Sequence, residues 1–206
     1  MKPASDRWGF DRGMPVDRHY IEHFLHKHHK AISGVCLEVL NSDYTHHFGG
    51  DQVTQADVLD INAENPRATI IGDITDPSTL KHDHYDCFIL TQTLQVVVDS
   101  EALLRNAFAA MKPGGVILIT TSFVCSYSPH PIDLWRFTDA SLRILIERAT
   151  GTIPSDLQCF GNLVATIAFL KGLAACELSS AELDHFDKRY PIIIAARIDK
   201  PVDEGA

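Results

Sequence analysis

Tyr85-Asp86-Cys87-Phe88-Ile89-Leu90 and Val116-Ile117-Leu118-Ile119-Thr120 are two short apolar runs. Between them Leu103, Leu104, Ala107, Phe108 and Met111 recur at helical spacing. Runs this short, bounded by polar and turn residues, read as buried strands, and the stripe between them reads as an amphipathic helix. Asp99 or Ser100 supplies its N-cap. Lys112-Pro113-Gly114-Gly115 stops it, because proline cannot continue a helix and glycine provides the turn. Strand, helix and strand in this order form a right-handed crossover in a parallel sheet, which puts the chain in the α/β class.

Upstream, Asp17 to about Ile32 has helical periodicity in Ile21, Phe24, Leu25, His28 and Ile32, with Asp17 as N-cap and Gly34 as stop. His19, His23 and His26 share another face, but no cysteine or carboxylate set completes a metal site; we read a solvated helix face and no metal. Val35–Leu40 is the first strand and breaks into Asn41-Ser42-Asp43. A strand ending in a polar turn is how an open α/β sheet presents its first ligand loop. Gln52–Ile61 alternates as a second strand, and residues 68–73 form a third that ends on Asp73.

Downstream, the segment Thr121–Phe137 is long and carries two prolines and the aromatics Tyr127 and Trp135, and long loops after parallel strands tend to carry function. Thr138 caps a helix closed by Gly151, Leu157–Phe160 is a sixth strand, and Asn162 to about Ala175 is a helix. Ser179 and Glu182 have capping-box spacing, and Tyr190–Ile198 is the final strand.

The 206 residues suit one domain, 1–206, with an N-terminal segment and helix over 1–33 and a core over 34–198. A formal net charge of -9 argues against a general nucleic-acid binder. The longest apolar segment, Leu163–Leu170, is too short to span a bilayer. Five scattered cysteines without a Cys-x-x-Cys pair, and no signal-like opening, lead us to expect reduced thiols and a cytoplasmic protein.

Several of these features, in this order, resemble class I S-adenosylmethionine (SAM) dependent methyltransferases, most of all the bacterial subgroup called type 11. They are strand Val35–Leu40, Asp57, Asp73, Asp86–Gln95, Met111-Lys-Pro-Gly-Gly115 and Asp133-Leu-Trp-Arg-Phe-Thr138. The opening Trp8-Gly9-Phe10-Asp11-Arg12-Gly13 and Gly161-Asn162 add to the likeness, which runs from about Trp8 to Ile198. Glu38 is similar to the acid of the family's Glu-x-Gly-x-Gly turn, whereas Leu40, Ser42 and Tyr44 stand where that pattern has glycine.

The resemblance implies a Rossmann-like sheet of seven strands, mostly parallel, in the order 3-2-1-4-5-7-6, with the last strand antiparallel and helices on both faces. It implies SAM as cofactor, held by Glu38, Leu40, Asn41, Tyr44, Asp57, Asp73, Ile74, Thr91 and Gln92. Asp57 corresponds to the acid that holds the ribose hydroxyls, with Asp60 the alternative in another register, and Asp73 to the acid facing adenine. Methyl transfer needs a base only when the acceptor must lose a proton. His130 and Asp133 are the catalytic candidates, and Gln95, Tyr127 and Arg136 the substrate-binding ones. Arg136 either binds an anionic substrate or braces its loop, while Trp135 and Phe137 are read as packing residues. The expected partner is a small-molecule acceptor, a glycan or secondary-metabolite precursor, with no nucleic acid and no membrane; the oligomeric state is open. The alternative is a methyltransferase-fold protein that has lost catalysis and serves as a scaffold, the reading that Leu40 favours.

Overall fold

A computed structural model describes residues 2–202. Its centre is a seven-stranded sheet: β1 (Gly34–Val39), β2 (Val53–Asp60), β3 (Ile70–Ile71), β4 (Tyr85–Thr91), β5 (Met111–Ser122), β6 (Asp156–Phe160) and β7 (Ile193–Asp199). The strand order is β3-β2-β1-β4-β5-β7-β6. The pairs from β3 through β5 are parallel, and β7 is antiparallel to both its neighbours. Both the order and the reversed last strand match the sequence expectation.

Two cores form because the central strands bury both faces. On one face α2 (Ser100–Ala110) and α3 (Asp139–Thr150) cover Phe88, Leu90, Ile117 and Ile119 with Leu103, Leu104, Leu142 and Ile146. On the other, α1 (Val16–Lys27) and α4 (Leu163–Leu170) cover Cys87, Ile89, Val116 and Leu118 with Ile21, Phe24, Ala165 and Phe169. A short α5 (Ser180–Asp184) follows, opened by the Ser179–Glu182 capping box.

Local chemistry fixes the ends of these helices. Asp99 caps α2 by accepting from the Ala102 N–H at 2.8 Å. Thr138 and Ser141 form a capping box on α3, and Gly151 ends it in the left-handed conformation at φ 72°. Asn162 caps α4, which ends at Leu170, five residues short of the expected Ala175. Asp17 does not cap α1: Pro15 holds that position, and Asp17 lies buried in the first turn. Proline's preset backbone and missing N–H suit it to a helix entry.

The crossover contains one irregularity. Tyr85 pairs with Met111, yet Cys87 pairs with Val116, so Lys112-Pro113-Gly114-Gly115 loops out of the ladder. Lys112 Nζ anchors it on Asp86 Oδ2 at 2.7 Å, and the same carboxylate accepts the Val35 N–H at 2.8 Å. The start of β1 and the start of β5 are thereby tied to β4.

Candidate active site

Parallel strands leave their carboxyl ends on one edge, and here that edge holds a cleft of about 1150 Å³. Its floor is the β1 turn Leu40–Asn41 with Asp43–Tyr44, then Asp60–Ile61 at the end of β2, residues 72–75 after β3, and Thr91–Thr93 at the end of β4. Residues 96–99 form one side wall. Phe10, Met14 and Pro15, with Arg18 and Glu22 of α1, form the other.

Leu40 and Gln92, at the ends of the adjacent strands β1 and β4, both take positive φ, 72° and 51°. Left-handed backbone costs a non-glycine residue roughly 1–2 kcal/mol, and such strain collects at functional sites. The β1 turn therefore keeps the conformation that glycine would favour, although leucine occupies it. Leu40 is 58% exposed and borders the cleft.

Glu38 sets the shape of this turn from below. Its buried carboxylate accepts from the Thr45 N–H and the Thr45 hydroxyl, both at 2.8 Å, and from the Tyr44 N–H at 3.4 Å. Burial pushes the carboxyl up to about 7 against the pull of those donors. Burial also raises the Tyr44 phenol, whose oxygen lies 3.5 Å from Arg18 Nη1.

Two aspartates meet this turn, but Asp57 is not one of them. Asp57 lies outside the cleft, where its carboxylate accepts from Gln55 Nε2 at 3.0 Å and stands 3.4 Å from the Tyr85 hydroxyl. The reason is register. Val39 pairs with Leu59, so the residue at the strand end beside Leu40 is Asp60, three further on. Asp60 is buried, accepts from the Asn62 N–H at 2.9 Å and from Asn65 Nδ2 at 2.6 Å, and lines the cleft with Asp73. Asp73 closes a tight turn by accepting from the N–H and hydroxyl of Thr75, both at 2.8 Å.

Asn41, Ile74, Thr91 and Gln92 also line the cleft, whereas Gln95, Tyr127, His130, Asp133 and Arg136 do not. Gln95 is buried and committed to the protein: its Nε2 donates to Gln92 Oε1 at 2.6 Å, and its Oε1 accepts from the Thr121 hydroxyl at 3.0 Å. The Leu134 and Trp135 N–H groups hang the loop after β5 on the Gln95 carbonyl. Asp133 accepts from Arg136 Nη2 at 2.7 Å and from the Ser128 N–H at 2.8 Å. Burial opposes ionisation of Asp133, but these donors outweigh it and hold the carboxyl below its usual range. Arg136 is thus a loop brace, also donating to the Trp135 carbonyl at 2.9 Å. Tyr127 and His130 are exposed, and only Pro131 of their stretch reaches the cleft.

The histidines of α1 go to separate contacts: His19 lies 3.9 Å from Asp184, His23 packs on Phe160, and His26 stacks on His29. No group of three or more metal-ligating side chains occurs among the described residues. No helix among them is long and apolar enough to cross a membrane.

Arg18 and Glu22 are the wall residues that sequence reading missed. They stand four apart on α1, a spacing that puts them on one face, but nothing local says this face meets a ligand edge. Arg18 is the one cation lining the cleft among the described residues, against Glu22, Glu38, Asp43, Asp60, Asp73 and Asp99. Such a cavity favours a cationic ligand.

Residues 16–146 match the family model described as a methyltransferase domain. No curated protein matches the chain in sequence. Among solved structures, a SAM-dependent methyltransferase from Mesorhizobium loti superposes with a TM-score of 0.61 at 16% identity, covering 89% of this chain and 97% of that one. The complex of the Haloferax volcanii Trm112 methyltransferase activator with a methyltransferase gives 0.58 at 17% identity, covering 98% and 100%. Burkholderia thailandensis 1,6-didemethyltoxoflavin-N1-methyltransferase, solved with 1,6-didemethyltoxoflavin and S-adenosylhomocysteine, gives 0.57 at 14% identity, covering 88% and 77%. The family match and the seven-stranded sheet with its reversed last strand agree: the chain belongs to the class I methyltransferases, whose cofactor is SAM.

Proposed function

We propose that the protein transfers a methyl group from SAM to a small-molecule acceptor bound in the same cleft. The observation that carries this reading is the meeting of Asp60 and Asp73 with the Leu40–Tyr44 turn around one cavity of about 1150 Å³. Pockets for one small ligand run to roughly 300–1,000 Å³, so this cavity has room for a cofactor and an acceptor together.

The lining fits the cofactor. Asp60 uses one site on each oxygen for the protein, and a carboxylate has about four, so it can still accept from ribose hydroxyls. Asp73 lines the same cleft beside the apolar Ile74, and we assign its carboxylate as the acceptor for the adenine amino group. The carboxylates around the cavity complement the positive sulfonium and ammonium groups. Bound SAM supplies a methyl group already activated for displacement, so the chain has mainly to align the nucleophile and exclude water.

Glu38 holds the β1 turn through Thr45, and Gln92 fixes the end of β4 through Gln95 and Ser122. Phe10, Met14 and Pro15 close the wall opposite residues 96–99 with apolar surface. For a hydroxyl acceptor, Glu22 takes the proton: it is the cleft carboxylate with no ion-pair or hydrogen-bond partner among the described residues. An amine that arrives neutral needs no such base.

Calorimetric titration with SAM and with S-adenosylhomocysteine tests this reading. Micromolar binding of both is expected. The second reading, a scaffold without catalysis, is favoured by Leu40, whose side chain borders the cofactor turn where glycine would leave space. Absence of binding to either compound would put that reading first.

A further inference from the structure

A second cavity of about 390 Å³ opens between the start of α2 and α3. Its apolar lining is Val98, Trp135, Phe137, Ile144 and Leu145. Val98 and Asp99 line both this groove and the cleft, so the two spaces share a wall. The Trp135 indole N–H donates to the Val97 carbonyl at 2.9 Å, which pins the ring to that same wall. Val98, Trp135 and Ile144 are nonetheless 78%, 47% and 56% exposed.

The polar side chains around the groove are already engaged within the protein. Asp99 caps α2 through the Ala102 N–H, and the Ser100 hydroxyl donates to the Leu94 carbonyl. Ser141 belongs to the α3 capping box. Glu101 pairs with Arg148 at 3.0 Å and with Arg105 at 3.2 Å, so the rim is neutralised. A sugar placed here would give up hydrogen bonds to water without replacement, whereas an alkyl or aryl group would gain by leaving water. An apolar cavity of roughly 150 Å³ holds one benzene ring, so this groove has space for a body of one to two rings or a short alkyl chain.

Resting on the function proposed above, we infer that the groove seats the uncharged apolar body of the methyl acceptor, while its reacting end lies in the cleft across the Val98–Asp99 wall. The acceptor is then an amphiphilic aromatic or aliphatic molecule and not a free glycan. Trp135, read from sequence as a packing residue, is on this inference also an acceptor contact.

The probe is N-phenyl-1-naphthylamine, an uncharged aryl amine whose fluorescence rises in apolar surroundings, titrated with and without S-adenosylhomocysteine. Wild-type protein is expected to bind it in both conditions. Ile144→Glu is expected to weaken probe binding at least tenfold and Ile144→Gln severalfold, with S-adenosylhomocysteine affinity unchanged in both. That unchanged affinity also shows the variants to be folded. Lack of probe binding by the wild type, or equal affinity in wild type and Ile144→Glu, would overturn the inference. Failure of wild-type protein to bind S-adenosylhomocysteine would instead overturn the function proposed above, whatever the probe does.

Discussion

The side-chain amide of Asn65 donates to the carbonyl oxygen of Leu40 at 2.8 Å, tying the loop after β2 to the turn after β1. The same nitrogen donates to Asp60 Oδ2 at 2.6 Å, so one side chain holds both the strained turn and the buried carboxylate in place. Replacing it should therefore affect ligand binding although Asn65 does not line the cleft. Asn65→Ala is expected to weaken S-adenosylhomocysteine binding severalfold and to cost about 1 kcal/mol in urea unfolding, the usual worth of such hydrogen bonds. Unchanged affinity in calorimetry would show that turn and carboxylate hold their positions without the bridge.

Leu40→Gly tests whether leucine obstructs the cofactor turn. The left-handed φ of 72° suits glycine, and the residue is 58% exposed, so little packing is lost. Relief of roughly 1–2 kcal/mol of backbone strain is offset by glycine's greater loss of freedom, leaving stability within about 1 kcal/mol of wild type. Binding of S-adenosylhomocysteine is expected to tighten. Equal dissociation constants for the two proteins would remove Leu40 as an obstacle.

The aspartates separate cleanly by position. Asp73→Ala and Asp60→Ala are each expected to weaken SAM binding by about 1–3 kcal/mol, the range for a lost polar partner. Asp57→Ala should leave affinity unchanged, because its carboxylate faces Gln55 and Tyr85 outside the cleft. A loss of affinity in Asp57→Ala comparable to that in Asp60→Ala would contradict the register argument.

Glu38 gives a pH signature. Burial raises its carboxyl from 4.5 to about 7 in the folded protein. Across that window the native state keeps a proton that the unfolded chain releases, so the contribution of Glu38 to stability declines as pH rises, and levels off above the folded value. The fall amounts to something on the order of 3 kcal/mol. Glu38→Gln removes the titration, so urea unfolding between about pH 5 and about pH 8 should show a shallower decline in the variant. Identical pH dependence in both proteins would refute the assignment.

Much of the fold could be read locally. The apolar runs of β4 and β5, the Thr138 cap, an α2 cap narrowed to Asp99 or Ser100, and the break at Lys112-Pro113-Gly114-Gly115 can each be read within a few residues. The short β3 and the early end of α4 were less legible, because pairing and packing trim an element where its neighbours stop.

The sequence alone determined the α/β class, the crossover and, through motif resemblance, the strand order and the cofactor, since periodicity, capping and turn chemistry act between residues close in the chain. Tertiary structure decided which of those residues share the cleft. Nothing in Asp57-Val58-Leu59-Asp60 says where the strand stops; only pairing with β1 puts Asp60 beside Leu40. Likewise α1 shows which of its faces is apolar, but the docking of that face turns Arg18 and Glu22 into a cleft wall. The sequence offers Gln95 as a substrate contact and Arg136 as either a substrate contact or a loop brace; only folding brings Gln92 and Thr121 to one and Asp133 to the other. These are contacts between separately positioned elements, and their energies exist only once the sheet has assembled.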